Sequence, residues 1–331
     1  MAVTIYDVAE AAGVSIATVS KALNDSYTIP EHTKAAIRET ADRLGYRPNA
    51  RAKNFARQAS GTVLFITDLY QNIGFENPHM FEIISGIDAY LDRKDYALTL
   101  KPLTKQTAPL FIRDIIRQRQ ADALIIHASI LGTELAALLG RTDFPYLVIG
   151  KPAFHCNVCW IDVNHEQAGQ LAANFLLDRG YRKMAFITGS EEDSLSQSRL
   201  AGIHQVMAEE ELTVEVVRNQ SVYSLDDRAL DRLLMGPSRP EVLLCSNNHL
   251  ALHCLQQLRR LGLKIPEDVG LLTFDNYPFS MLTDPAITAV EVDMHEMGVN
   301  AARFVLQRIR KPNLQTQSYC TSPTILERES T

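Results

Sequence analysis

Nothing in the 331 residues approaches the run of ~20 uncharged apolar positions that a helix needs to span a bilayer. Residues 1–12 hold no basic stretch leading into an apolar one; Asp7 and Glu10 stand there instead. Neither a signal peptide nor a membrane contact is expected, and the expected location is cytoplasmic. Cysteine is sparse. Cys156, Cys159, Cys245, Cys254 and Cys320 are an odd number in a chain expected in the cytosol, which reads as free thiols. The Cys156-x-x-Cys159 spacing has neither the second pair a zinc site needs nor a thioredoxin-like setting, so it reads as buried or incidental thiols. Enzyme signatures are missing as well: there is no P-loop, no GxGxxG after a strand, no GxSxG and no HExxH. His249 and His253 are four apart and share a helix face, but no third ligand accompanies them. No catalytic residue, metal or cofactor is expected.

What is present is a core-forming composition, 46% apolar and 22% charged, with room for two or three domains. The net charge of −6 is unevenly spread. Residues 1–60 hold eight Lys/Arg against six Asp/Glu, so the remainder carries −8. From Arg43 to Arg57 there are five cations and no acid. A basic segment on an acidic body suits a small nucleic-acid-binding module on a larger sensor, and suits a solvated linker equally well.

The first sixty residues decide between these. Thr4 and Asp7 have the spacing of a capping box, with Asp in the place usual for Glu or Gln. Ile5, Val8, Ala9 and Ala12 follow at the spacing of one buried helix face. Gly13 breaks this helix, and Ser15 can cap a second one through Thr18, Val19, Ala22 and Leu23. Two short helices around a tight glycine turn form a helix-turn-helix. A third is expected from Pro30 to Leu44, with Ala36, Ile37, Ala41 and Leu44 inward. In such a unit the second helix enters the major groove. Its exposed side chains would be Ile16, Ala17 and Lys21, with Thr18 and Ser20 nearby. Ile16 and Ala17 offer apolar contact to a thymine methyl, and Lys21 can donate to guanine. Thr4, Ser15 and Asn24 are candidates for phosphate contacts.

The run from Thr4 to Asn24, TIYDVAEAAGVSIATVSKALN, resembles the DNA-binding signature of the lac/gal repressor family, and Leu44-Gly45-Tyr46-Arg47-Pro48-Asn49-Ala50 resembles that family's approach to its hinge. The resemblance maps recognition onto Ile16, Ala17 and Lys21, and a minor-groove hinge onto Asn49 to Arg57, Ala52 included. Asn49 can cap a two-turn helix Ala50–Arg57 that needs a partner to be stable. Where the family usually has a leucine wedge that levers open the central base step, this chain has Phe55; Phe55 also suits packing against a second hinge or the core.

Beyond Gly61, apolar strand-like runs alternate with amphipathic stretches. The strands expected are 63–68, 97–100, 123–126, 146–149, 160–163, 184–187, 214–217, 242–245 and 269–274. Apolar strands alternating with helices mean parallel sheets covered on both faces, and two such series suggest two similar lobes. The expected fold is therefore an all-α helix-turn-helix headpiece (1–46) and hinge (47–59), then an α/β sensor (60–331) of two doubly wound lobes. This sensor resembles the periplasmic-sugar-binding-protein fold. The resemblance implies three crossings, near Asp162, Val290 and Thr321. The first lobe then takes about 60–161 and 291–320, the second about 162–290 and 321–331.

The same resemblance places a ligand between the lobes, at the strands' carboxyl ends, with sugar contacts from Arg199, Tyr223, Asn247 and Asp275. Arg, Asn and Asp suit hydroxyls, and a tyrosine ring suits a sugar's apolar face. Each also fits a structural role: Asp275 as a turn cap, Arg199 as partner of Glu191, Glu192 or Asp193, Tyr223 as a half-buried surface residue. Where many relatives have an acid after the 146–149 strand, this chain has Gly150-Lys151-Pro152, and where many have Asn-Asp it has Asn247-Asn248. Phrases such as Phe274-Asp275-Asn276 and Ile325-Leu326-Glu327 are most similar to the maltose/α-glucoside regulators within the family. The implied partners are a palindromic double-stranded DNA operator, a small sugar effector and a second copy of the chain. No leucine heptads follow Pro312, which favours a dimer. A transport-type sugar receptor would share the sensor but needs a secretion signal and no helix-turn-helix.

Overall fold

A computed structural model of the chain describes residues 3–23, 25–46, 59–69, 79–191, 193–220, 226–314 and 317–331. It divides into two compact units, residues 1–62 with 118–122 and residues 63–117 with 123–331.

In the first unit, α1 (Ile5–Ala12), α2 (Ile16–Leu23) and α3 (Glu31–Leu44) surround Val8, Val19, Ala22 and Ile37, none more than 1% exposed. The turns are fixed locally. The Asp7 carboxylate accepts from both the Thr4 amide and the Thr4 hydroxyl, at 2.7 and 2.8 Å, and so ties down the start of α1. Gly13 ends α1 at φ +65°, a conformation that costs glycine little. Ser15 Oγ accepts from the Thr18 amide at 3.1 Å and caps α2. Pro30 sits just outside α3, at its N-cap rather than within it.

The second unit contains two six-stranded sheets, for which the strands are β1 (Thr62–Thr67), β2 (Ala97–Pro102), β3 (Ala123–His127), β4 (Tyr146–Ile149), β5 (Trp160–Val163), β6 (Met184–Thr188), β7 (Val214–Arg218), β8 (Val242–Cys245), β9 (Gly270–Phe274), β10 (Thr288–Glu291), β11 (Tyr319–Thr321) and β12 (Thr324–Leu326). The orders are β11-β5-β4-β3-β1-β2 and β12-β10-β9-β8-β6-β7. The first five strands of each sheet thus follow one 2-1-3-4-5 pattern, repeated in the second sheet. Pairing is parallel from β3 through β5 and from β6 through β10, while β12 runs antiparallel to β10. The chain leaves the first sheet after Val163, joins it again after Glu291 and crosses back between Thr321 and Thr324. Full coverage fails at the sheet edges: the outer strands β2, β7, β11 and β12 all have partly exposed side chains.

Each lobe is closed by a pair of helices whose backbones touch. Against the first sheet lie α4 (His79–Asp92) and, after β10, the helix Met294–Arg310; a Cβ on Gly86 would stand 2.0 Å from the His295 carbonyl oxygen, and one on Gly298 would stand 2.2 Å from that of Ile83. In the second lobe His165–Asp178 and Ser194–Glu209 meet the same way, Gly169 against the Arg199 carbonyl and Gly202 against that of Glu166. Between these elements come α5 (Ala108–Gln118) and α6 (Thr133–Leu139), so the helices just described are α7 (His165–Asp178), α8 (Ser194–Glu209) and, following α9 (Asp227–Met235), α10 (Asn248–Arg260) and α11 (Pro278–Leu282), α12 (Met294–Arg310). Asn164, Asp193, Asp226, Asn247 and Asp293 each accept a backbone amide at a helix start. No described helix is long and apolar enough to cross a membrane.

Candidate functional site

In the headpiece, α2 has one buried and one exposed face. Val19 and Ala22 are buried, and the 100° step per residue turns Ile16, Ala17, Ser20 and Lys21 to the opposite side. Ile16, Ala17 and Lys21 are exposed, Ile16 at 38%, while Thr18 and Ser20 are half-buried. Ser15 and Thr18 join hydroxyls at 2.8 Å, and Thr4 is exposed beside Asp7. Asn24, Asn49, Ala52 and Phe55 lie outside the described residues.

The second unit holds a cavity of about 640 Å³ lined from both sheets. It lies at the carboxyl ends of the strands, where a doubly wound sheet opens at the reversal of its strand order. In the second lobe, Arg199 on α8 is 3% exposed and reaches Asp275, which follows β9, at 3.1 Å. The guanidinium also donates to the Ser246 carbonyl and lies over the Phe274 ring, 4.8 Å from its centroid. Asp275 is 8% exposed, with a backbone φ of +90° that is strained for a residue with a side chain. Burial opposes its ionisation, but the charges of Arg199 and then His79 outweigh this, so its carboxyl stays well below the usual range. Asn248 donates to the Asp275 carbonyl at 3.0 Å and accepts from Ser280, which fixes the turn. Asn247 lines the cavity and caps α10, its Oδ1 accepting from Leu250 N at 3.0 Å.

In the first lobe, His127 ends β3 and its Nδ1 lies 2.8 Å from Ser129 Oγ, which donates to Asp68 after β1. Burial pushes the His127 imidazole down, only partly offset by Asp68 and Asp162, and so favours the neutral ring. Asp162 accepts from the amides of Lys151 and Val163, both at 2.7 Å, and faces His165 Nε2 at 3.5 Å. Burial raises its pKa, but the His165 contact and these amides lower it further. After β4, Gly150 stands at φ +95°, where a Cβ would lie 2.9 Å from that of Ala128.

The structure therefore brings together Arg199, Asp275 and Asn247; Tyr223 lies outside the described residues. The alternative pairing of Arg199 is excluded for Glu191, which binds Arg218, and Asp193 caps α8. Sequence reasoning missed His79, His127, Asp162, His165 and Ser246. The strand-end rule marks His127 and Ser246, whereas no spacing marks His79. Four buried polar atoms of this lining have no hydrogen-bond partner among the described residues: Arg199 Nε, Ser246 Oγ, His165 Nδ1 and His79 Nε2. His79 Nε2 is 3.2 Å from Asp275 Oδ1, and this contact adds to that of Arg199 in favouring the carboxylate. No group of three or more potential metal ligands occurs among the described residues.

Residues 4–49 match the family model of the bacterial regulatory proteins of the lacI family, and residues 173–331 match that of the periplasmic binding protein-like domain. The chain thus carries a lacI-type DNA-binding headpiece and a periplasmic-binding-protein-like domain, and the relatives it resembles along its whole length are transcription regulators. Full-length relatives agree: the HTH-type transcriptional repressor PurR of Vibrio cholerae is 29% identical over 99% of this chain and 97% of its own. The probable repressor ExuR of Bacillus subtilis is 27% identical, covering 99% and 98%. Among solved structures, a lac repressor dimer bound to operator and the anti-inducer ONPF superposes with a TM-score of 0.73 at 20% identity, covering 100% and 99%. A complex of the transcriptional regulator CelR with cellobiose gives 0.70 at 22% identity, covering 99% and 100%. At these identities the two structures establish the shared fold: a headpiece followed by a two-lobed α/β sensor.

Proposed function

We propose that this protein is a lacI-family repressor that grips a palindromic operator as a dimer and releases or tightens it when a small sugar fills the cleft. The observation that carries the effector half is the cavity lining. Arg199 Nε can only donate, and Ser246 Oγ can donate or accept. With its Nε2 proton turned to Asp162, His165 keeps Nδ1 as an acceptor. Unpaired donors and acceptors interspersed on one wall suit hydroxyl groups, each of which does both. Asp162, Glu166, Asp193 and Asp275 outnumber Lys151 and Arg199 around the cavity, which favours a neutral sugar over a sugar acid. The volume is within the range of small-molecule sites. Relatives solved with cellobiose and with D-xylulofuranose have the same fold. Within the neutral sugars, the motif likeness noted above points to an α-glucoside such as maltose.

On the DNA side, Ile16, Ala17 and Lys21 read bases with Thr18 and Ser20 beside them, Thr4, Ser15 and Asn24 position the backbone, and the hinge with Asn49, Ala52 and Phe55 enters the minor groove. Two copies are needed because a palindrome presents its half-sites by two-fold symmetry. Sugar binding shifts the equilibrium only by its differential affinity for the two sensor states, typically ~1–3 kcal/mol. The test is a thermal-shift screen of maltose, cellobiose, D-xylulose, D-galacturonate and hypoxanthine, repeated as gel shifts on palindromic DNA. A neutral sugar that raises Tm and changes operator affinity is expected. Stabilisation by the acid or the nucleobase alone overturns the effector class, and equal affinity for palindromic and scrambled DNA overturns the operator reading.

A further inference from the structure

The cleft contains a contact that joins its two walls. His79 opens α4, whose Met80, Ile83 and Ile87 are built into the core of the first lobe. Its side chain and backbone both face the second lobe. The imidazole Nε2 lies 3.2 Å from Asp275 Oδ1, and the His79 amide donates to Tyr277 Oη at 2.5 Å. The two rings sit 4.6 Å apart at a tilt of 36°. Asp275 and Tyr277 follow β9 of the second sheet, so three interactions from one residue span the cavity.

We propose that His79 is part of the effector seat and latches the empty sensor: with no sugar bound, it takes on Asp275 the place that a sugar hydroxyl would take. Arg199 holds Asp275 through Oδ1 at 3.1 Å, on a strained backbone, and His79 Nε2 stands 3.2 Å from the same oxygen. A sugar hydroxyl that donates to this carboxylate competes with His79 for it, and the exchange removes one of the three links between α4 and the second lobe. This rests on the reading of the cleft as the effector site and adds which residue the effector must displace. The unliganded sensor is then closed by its own side chain, and ligand binding exchanges one cross-cleft bridge for another instead of closing an open jaw.

The experiment uses the full-length protein with no sugar present, so that its failure is separate from any failure of the sugar screen. Hydrogen exchange and small-angle scattering are compared for wild type, His79→Ala and Tyr277→Phe. The second variant keeps the ring and removes only the hydroxyl that accepts from the His79 amide, so it reports on the latch without opening a cavity. Amide exchange in 79–83 and 276–280 is expected to rise at least tenfold in His79→Ala and severalfold in Tyr277→Phe, with a larger radius of gyration. The outer strand pair 184–188 and 214–218 is expected to keep its wild-type exchange. Unchanged exchange in 276–280 in both variants overturns the latch. So does acceleration spread evenly over 184–188 and 214–218, which is loss of stability alone.

Discussion

Arg199 and Asp275 are two opposite charges both removed from water, and a double-mutant cycle measures what that means. Arg199→Met keeps the apolar length of the side chain and leaves a carboxylate that is 8% exposed. Removing one member of a buried pair costs about 3–5 kcal/mol. His79, still 3.2 Å from Asp275, compensates in part, so about 3 kcal/mol is expected. For a unit of this size that lowers Tm by about 6 °C. Asp275→Asn leaves the guanidinium on the Ser246 carbonyl and the Phe274 face and should cost about 2 kcal/mol, mostly as an unpaired buried charge. The double variant strands neither charge and should lose no more than either single one, giving a coupling of at least ~3 kcal/mol. Urea unfolding followed by circular dichroism and by the lone Trp160 supplies the three differences. Additivity within ~0.5 kcal/mol refutes the reasoning, because it means the two groups do not sense each other. The pH dependence has a fixed sign. A carboxyl whose pKa is lowered by folding contributes stability in full above its ordinary value near 3.8 and loses it as pH falls from there toward the folded value. The deficit of Asp275→Asn should therefore be constant from pH 7 to 5 and shrink only below pH 4.

The His127 imidazole is lowered by burial from its ordinary value near 6.5, so the unfolded chain binds a proton that the folded one refuses; stability falls as pH drops below 6.5, and His127→Gln should flatten that slope in denaturation series from pH 7.5 to 5. Gly169→Ala places a methyl 1.9 Å from the Arg199 carbonyl and should cost about 1–3 kcal/mol by forcing α7 from α8, read as a lower urea midpoint together with a weakened sugar response. Ser15→Ala removes the α2 cap and should destabilise the headpiece by about 1 kcal/mol in thermal melts. Lys21→Ala should relax base preference in operator-variant gel shifts if the ammonium reads a base; a uniform loss with a salt slope smaller by about 1 assigns it to a phosphate instead.

Where local chemistry decides structure, the sequence was readable. Gly13 between two apolar helix faces, Ser15 at a cap and Pro30 ahead of α3 specify the headpiece without help from distant residues. The apolar strands at 123–126 and 146–149 likewise announce a covered parallel sheet. The cavity was legible only in part. Asp275 and Arg199 stood out through resemblance, and their mutual pairing, 76 positions apart, is set by how β9 and α8 pack and not by any pattern along the chain. Asn247 shows a limit of another kind: the spacing of its strand places it correctly, but its Oδ1 is committed to Leu250, so any ligand meets the rest of the side chain. His79 had no signal at all. It opens an ordinary amphipathic helix, and only the juxtaposition of two sheets gives it Asp275 and Tyr277 as neighbours.

The glycine contacts between α4 and α12 set how far such a rearrangement can stay local. With Gly86 on the His295 carbonyl and Gly298 on that of Ile83, no layer of side chains lies between the two helices to absorb a shift. A push on His79 at the tip of α4 is therefore passed without slack to the first turn of α12, and from there to Asp293, the residue that opens α12 just after the chain leaves the second sheet. The pair thus packs backbone to backbone beside one of the three crossings, so any displacement of α4 meets the start of α12, next to β10.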